Sequence, residues 1–288
     1  MNGSALALVL LAAVVHAGWN LAAKRVRDGG ASFVFLYYTT SAVCCLPLAA
    51  AMLVLAPQRP QWTWLAAAAV TAVCHVAYGI VLQRGYAVGD LSVVYPVARG
   101  SGPLLSVLAA VVLFGERPGA LGLVGAFLVV AGVLLIGGGR SAGQTDPRAR
   151  RSGIGYGLLT GLTIAAYTLW DDHSVNALAV PPLVYFSAGA LLQSLLLAPS
   201  ALGRGDLAGL WRAHRREVLI VGVFSPVAYL LVLYAMRMAP VSLVAPAREV
   251  SIVLGGLAAW LVLGEADPAR RLTGSVIVLT GIAAIAAS

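Results

Sequence analysis

The sequence predicts an all-α integral membrane protein with ten transmembrane helices, arranged as two inverted five-helix repeats. Three observations carry that expectation. Of the 288 residues, 60% are hydrophobic and only 10% are charged, whereas a soluble domain carries roughly a quarter charged residues. With a mean hydropathy of +0.90, a chain of this length has more apolar surface than a globule can hide from water, so its solvent is lipid. Apolar runs of roughly 17 to 25 residues recur from end to end. Finally, one stretch occurs twice: at a constant offset of 149 (248 minus 99), residues 98–138 match residues 247–287 at 14 of 41 positions. A repeat of half the chain length sets the architecture.

The expected spans are 4–23, 31–56, 62–82, 91–114 and 121–138, then 153–170, 182–198, 218–236, 241–263 and 272–287. The first could pass for a signal-peptide core, yet no basic segment precedes it and many apolar spans follow, so it reads as a retained membrane helix. Helices are required because unpaired amides in hydrocarbon cost several kcal/mol each, and no alternating ten-residue pattern suggests a barrel. Residues 141–152, rich in Gly, Ser and Arg, form a basic linker between a first repeat (1–140) and a second (153–288). Five helices is an odd number. The second repeat therefore enters the membrane from the opposite side, an arrangement that places binding sites near the midplane between the halves.

The net charge is +8, but the arginines sit in short loops without the basic stripe or aromatic platform of a nucleic-acid binder. Sorted by loop parity, Lys24, Arg25, Arg27, Arg84, Arg140, Arg148, Arg150, Arg151, Arg204, Arg212, Arg215, Arg216, Arg270 and Arg271 fall on one side. Arg59, Arg117 and Arg237 fall on the other. The basic side is cytoplasmic by the positive-inside rule, which puts both termini outside a bacterial-type inner membrane. Cys44, Cys45 and Cys74 lie in apolar segments and read as small buried hydrophobes. No metal-ligand spacing, phosphate loop or cofactor motif is present in the sequence, so no metal, cofactor or ATP hydrolysis is expected. Ser101 lies between glycines, yet nothing brings it to a histidine, and enzyme activity is not expected.

The residues that stand out are polar groups inside apolar spans. Arg99 and Arg248 sit about eight residues into their spans, each beyond a proline (Pro96, Pro246); an arginine at that depth costs at least about 2 to 3 kcal/mol unless it faces a cavity or a partner. Tyr95, Arg99, Gly102 and Ser106 share one helical face, as do Arg248, Ser251 and Gly255. The arginines either clamp an anionic substrate group or pin a broken helix. Glu249 stands where the first repeat has Gly100: it is either a proton-coupling carboxylate or a salt-bridge partner, of Arg99 across the pseudo-dyad or of another helix. His16, Trp19 and Asn20 close the first span, and Tyr167, Trp170 and Asp171 close its counterpart. Thr160, Thr163, Tyr167, Trp170 and Ser174 form a polar stripe suited to an organic solute, although interfacial belts also collect tryptophan. Asp171, Asp172 and His173 read as a solvated helix terminus. His75, with Thr71 and Tyr78 on its face, is either a proton carrier or a bundle-holding hydrogen bond. Glu116 and Glu265, each after a glycine, suit a structural task such as capping a neighbouring helix N-terminus or pairing with a loop arginine. Gly119, Gly122, Gly125, Gly132, Gly274 and Gly281 permit close helix contact.

The ten-span duplication, the proline in each fourth helix, the Gly115-Glu116 and Gly264-Glu265 ends, and the segments His16-Ala17-Gly18-Trp19-Asn20, Tyr95-Pro96-Val97-Ala98-Arg99-Gly100 and Ala245-Pro246-Ala247-Arg248-Glu249 together resemble the EamA-type permeases of the drug/metabolite transporter superfamily. The resemblance covers nearly the whole chain. It implies a secondary transporter of small organic solutes, often an exporter of amino acids or other metabolites, with a cavity between the repeats. Better-known members are drawn with both termini cytoplasmic, opposite to the arrangement read from the basic residues here. The main expectation is an exporter of an amino-acid-like or drug-like solute by alternating access, driven by a proton or substrate gradient. Its cavity would be lined by Arg99, Tyr95, Arg248, His16, Trp19, Asn20, His75, Tyr78, Tyr167 and Trp170, with Glu249 and His75 as proton-coupling groups. Uptake or exchange of an anionic solute such as an organic acid or phosphonate is the alternative, and a non-transporting membrane scaffold the third reading. The lipid bilayer is the expected environment, and a monomer the simplest assembly, with a homodimer the other option.

Overall fold

The computed structural model describes residues 1–26, 29–55, 59–89, 91–137, 147–203, 207–254 and 268–288. These form ten helices: α1 (Gly3–Ala23), α2 (Gly30–Leu55), α3 (Trp62–Val88), α4 (Leu91–Leu113), α5 (Gly119–Gly137), α6 (Pro147–Asn176), α7 (Pro182–Leu202), α8 (Leu207–Met236), α9 (Val241–Ala247) and α10 (Pro268–Ala287). Seven, α1 to α5 with α7 and α8, are long and apolar enough to cross a membrane by themselves. α6 is as long as any of them, but arginines at its start and aspartates near its end dilute its apolarity.

Both termini lie at one end of the bundle, where the Met1 ammonium donates to the Ile285 carbonyl at 3.4 Å. Asn2 caps α1, its side chain accepting from the Ala5 amide at 2.7 Å. The largest apolar cluster among the described residues also occupies this end, where Val9, Trp64, Val175, Tyr185, Leu233 and Val241 meet. A smaller one at the opposite end gathers Trp19, Phe33, Val218 and Val221.

Helix pairing follows the duplication. α1 packs on α8 as α6 packs on α3, and α2 packs on α8 as α7 packs on α3, while α2 with α7, α4 with α9, and α5 with α10 meet across the pseudo-two-fold axis. At the α5–α10 contact the glycines make the symmetry exact in kind. A Cβ at Gly125 would lie 2.6 Å from the Gly281 oxygen, and one at Gly132 would lie 2.7 Å from the Gly274 oxygen. Gly125 and Gly132 are the repeat counterparts of Gly274 and Gly281, so one close approach occurs twice, and backbone meets backbone as small residues allow in lipid. α4 approaches α6 in the same manner, with Gly102 facing Ile164 and Gly157 facing Val97. Gly119 departs from the expected role: no atom lies within 4 Å of its would-be Cβ, and its φ of +73° makes it a turn residue.

Gly115, at φ +68°, ends α4 in the left-handed conformation that a glycine adopts without strain. That turn aims Glu116 at the start of α9, where its carboxylate accepts from the Val241 and Ser242 amides at 3.0 and 2.9 Å. The expected capping task is therefore what Glu116 performs; Glu265 lies outside the described residues, as do Gly255 and Gly264.

Two expected spans require correction. Residues 241–263 do not begin as one uninterrupted α-helix: α9 ends at Ala247, Arg248 and Glu249 form a turn, and helix resumes over 250–254. Pro246 removes a donor, and the amides of Glu249 and Ile252 bond three residues back, to Pro246 and Glu249. α4, by contrast, stays helical through both Pro96 and Pro103. The sixth span runs on to Asn176 rather than stopping at residue 170. Among the cysteines Cys45 is buried, but Cys44 is exposed on the outer face of α2.

Candidate functional site

The midsection of the bundle holds an ion-paired triad. Arg99 Nη2 contacts Glu249 Oε2 at 2.9 Å, and Arg248 Nε lies 3.8 Å from Glu249 Oε1. Glu249 is 1% exposed and each arginine 16% exposed, so three charges share a nearly dry site with a formal sum of +1. Of the two readings open for Glu249, the salt bridge across the pseudo-dyad is the one the geometry displays. The turn at Arg248–Glu249 makes it possible, since it lets consecutive side chains both reach the axis.

Aromatic side chains surround the triad. Tyr78, Tyr95 and Tyr167 lie within electrostatic reach of Arg99, and Tyr167 and Tyr229 within reach of Arg248. His16 feels both guanidiniums and packs edge-on to Trp19, ring centroids 4.7 Å apart. His75 stacks on Tyr167 at 4.2 Å. α2 contributes Tyr37 and Tyr38, whose rings lie 4.6 Å apart beside Tyr78 and Tyr167. Neither was visible as a candidate in the sequence, because two tyrosines in an apolar run carry no charge or repeat signal.

A second polar cluster lies nearer the termini and overturns an expectation. Asp171 and Asp172 are not a solvated helix terminus: they are 2% and 8% exposed. Thr71 Oγ1 and the Tyr185 hydroxyl donate to Asp171 Oδ1 at 2.8 and 2.6 Å, and the Tyr229 hydroxyl donates to Oδ2. One carboxylate thus ties α6 to α3, α7 and α8. His75 adjoins it, Nδ1 being 2.9 Å from the Thr71 carbonyl and Nε2 3.4 Å from the Tyr229 oxygen. The signal was present twice over. Asp171 falls four residues after Tyr167 on the polar stripe, and Tyr229 repeats Tyr78 within the segment Val76-Ala77-Tyr78 and Val227-Ala228-Tyr229, at an offset of 151 (229 minus 78) rather than 149.

Against known proteins, the model of the EamA-like transporter family matches the chain twice, over residues 3–138 and 151–287. The chain belongs to the EamA-like transporter family. The transporter superposes on a solved crystal structure of a protein 18% identical to it, with a TM-score of 0.77, over 99% of this chain and 96% of the other; at that identity the likeness concerns the fold. No curated protein matches the sequence. With the family assigned, the apolar helices make the transporter a multipass membrane protein.

The remaining predicted residues of the transporter divide by what their polar atoms do. Arg99, Arg248, Tyr78, Tyr95, Tyr167, His16 and His75 converge on the midsection. Trp170 commits its indole elsewhere: its N–H donates to the Ala67 carbonyl at 3.0 Å and ties α6 to α3. Asn20 donates to the His16 carbonyl of its own helix at 3.0 Å. Trp19 packs against the α2–α8 cluster, and its buried indole N–H has no hydrogen-bond partner among the described residues. On the polar stripe, Thr160, Thr163 and Ser174 donate their hydroxyl protons to carbonyls of α6 itself, a local bond that leaves these hydroxyls only their acceptor lone pairs. On α4, Gly102 packs against Ile164 of α6, and Ser106 is buried and donates to the Gly102 carbonyl.

Proposed function

We propose that the transporter moves a small amino-acid-like solute across the inner membrane by alternating access, in the export direction, with the Arg99–Glu249–Arg248 triad as the solute's charge-recognition site. The observation that carries this reading is the surplus cation. Glu249 is committed to Arg99 at 2.9 Å and only loosely to Arg248 at 3.8 Å. A solute carboxylate placed beside Arg248 cancels the excess charge in a dry site, where such a contact is strong. Tyr78, Tyr95 and Tyr167 supply rings and hydroxyls for the organic body of the solute. In this reading ten helices of one chain suffice to enclose the solute, so the protein acts as a monomer and without catalysing a covalent step.

In proteoliposomes exchanging a panel of labelled amino acids, Arg248→Gln is expected to lower exchange at least about tenfold, the loss of about 1.4 kcal/mol of binding. Wild-type protein that exchanges no amino acid sinks the reading. The same surplus charge favours a second one, an anion carried in either direction with both arginines as clamp. Arg99→Gln and Arg248→Gln that leave every anion tested moving while zwitterion flux is lost would exclude it. The orientation proposed from the basic loops puts both termini outside. A reporter fused after Ser288 is expected to be active only in its extracytoplasmic form, and activity confined to the cytoplasm reverses the assignment.

A further inference from the structure

The hydroxyl protons around Asp171 can be counted. Thr71 and Tyr229 each donate to its carboxylate, and a hydroxyl owns one proton. Toward His75 the same two oxygens can therefore only accept. His75 Nδ1 faces the Thr71 carbonyl at 2.9 Å and Thr71 Oγ1 at 3.1 Å, both acceptors, so Nδ1 carries a hydrogen. Nε2 lies 3.4 Å from the Tyr229 oxygen. In a neutral ring it points a lone pair at an oxygen with no proton to give. That is an empty slot for one proton. A proton bound at Nε2 donates to Tyr229; if Tyr229 passes its own proton to Asp171 Oδ2 and takes the one from Nε2, the result is a neutral acid, a turned hydroxyl and a neutral imidazole, with every donor facing an acceptor.

We propose that Asp171, Tyr229 and His75 form the proton-binding site that couples solute movement to a proton gradient. The proposal rests on the solute-transport reading above and names its coupling site. The groups that face it are Cys74 from α3, Tyr167 and Asp172 from α6 and Tyr185 from α7, while Arg248 lies within electrostatic reach of His75. Among the described residues Asp171 has no ion-pair partner, unlike Glu249. The proton therefore changes the charge beside Arg248, and its position decides which hydroxyls hold α3, α7 and α8 to α6. The duplication supplies an independent observation. At the offset of 151, Asp171, Thr71, His75 and Tyr229 correspond to Asn20, Gly222, Pro226 and Tyr78. The symmetry-related position thus lacks both the acid and the imidazole, so the two-fold frame carries this site once.

The test reconstitutes the full chain in proteoliposomes with an equimolar mixture of the twenty amino acids, labelled, as probe. With one proton per solute, a gradient of one pH unit supports about tenfold accumulation. Asp171→Asn and Tyr229→Phe are expected to bring accumulation toward unity relative to their own equal-pH exchange, while Cys74→Ala retains the wild-type ratio. Accumulation by Asp171→Asn at the wild-type ratio overturns the proposal. A second arm needs no solute: pH-difference infrared spectra of the wild type should contain a protonated-carboxyl band that is absent in Asp171→Asn and shifted in Tyr229→Phe. If the wild type exchanges no amino acid, the solute reading fails and the infrared arm alone judges the site; a band unchanged in Asp171→Asn overturns it.

Discussion

Glu249→Gln is expected to destabilise the detergent-solubilised transporter by about 3 to 5 kcal/mol, the cost of leaving buried charge without its partner. Glu249 is the single anion between two guanidiniums, 2.9 and 3.8 Å away, and is 1% exposed. Removing its charge leaves two cations facing one another, each only 16% exposed. The effect is expected to be strongly non-additive. Arg99→Gln combined with Glu249→Gln removes the stranded charge of the tightest pair, so the double variant should melt above the sum of the single losses, as coupled residues do. Thermal unfolding of the four proteins closes the cycle. A Glu249→Gln melting point equal to that of the wild type would show that the triad contributes nothing to folding.

The second large effect is steric. Gly125→Val is expected to cost at least about 3 kcal/mol, at or above the upper range for overpacking. A Cβ there meets the Gly281 oxygen at 2.6 Å and the Ile285 amide nitrogen at 2.9 Å. Both are backbone atoms of α10, so no rotamer change relieves the clash and the helices must separate. Gly155→Ala is the matched control. No atom lies within 4 Å of its would-be Cβ, and in a helix interior alanine gains up to about 1 kcal/mol over glycine. Melting temperatures that fall for Gly125→Val and hold or rise for Gly155→Ala would separate close packing from a general intolerance of change. Equal falls would refute the packing account.

Much of the frame was legible because its causes are local or periodic. Apolar length marks a span wherever it occurs, and an odd helix count within a repeat forces inversion whatever the side chains do. The glycines of α5 and α10 kept phase at the offset of 149, and the structure joins them in two equivalent pairs. Glu116 was legible in the same way, since a glycine turn followed by an acid points at a helix start. The arginines were legible as anomalies and Glu249 as a candidate partner of Arg99, but the choice between readings was not: the two are 150 positions apart (249 minus 99), and a clamp and a salt bridge leave the same trace in the chain.

Asp171 shows where sequence reasoning stops. Two acids beside a histidine at the end of an apolar run look solvated, because water is the default partner of a carboxylate. Their burial depends on hydroxyls at Thr71, Tyr185 and Tyr229, which stand 100, 14 and 58 residues away. The sequence by itself thus determined a membrane-embedded, twofold duplicated helical frame with two arginines at its centre, because hydropathy and repetition are properties of the chain alone. Only the tertiary structure decided which charges pair, which hydroxyls hold Asp171 and where the slot beside His75 lies. Those depend on distances between helices, and a hydrogen bond exists only where packing brings donor to acceptor.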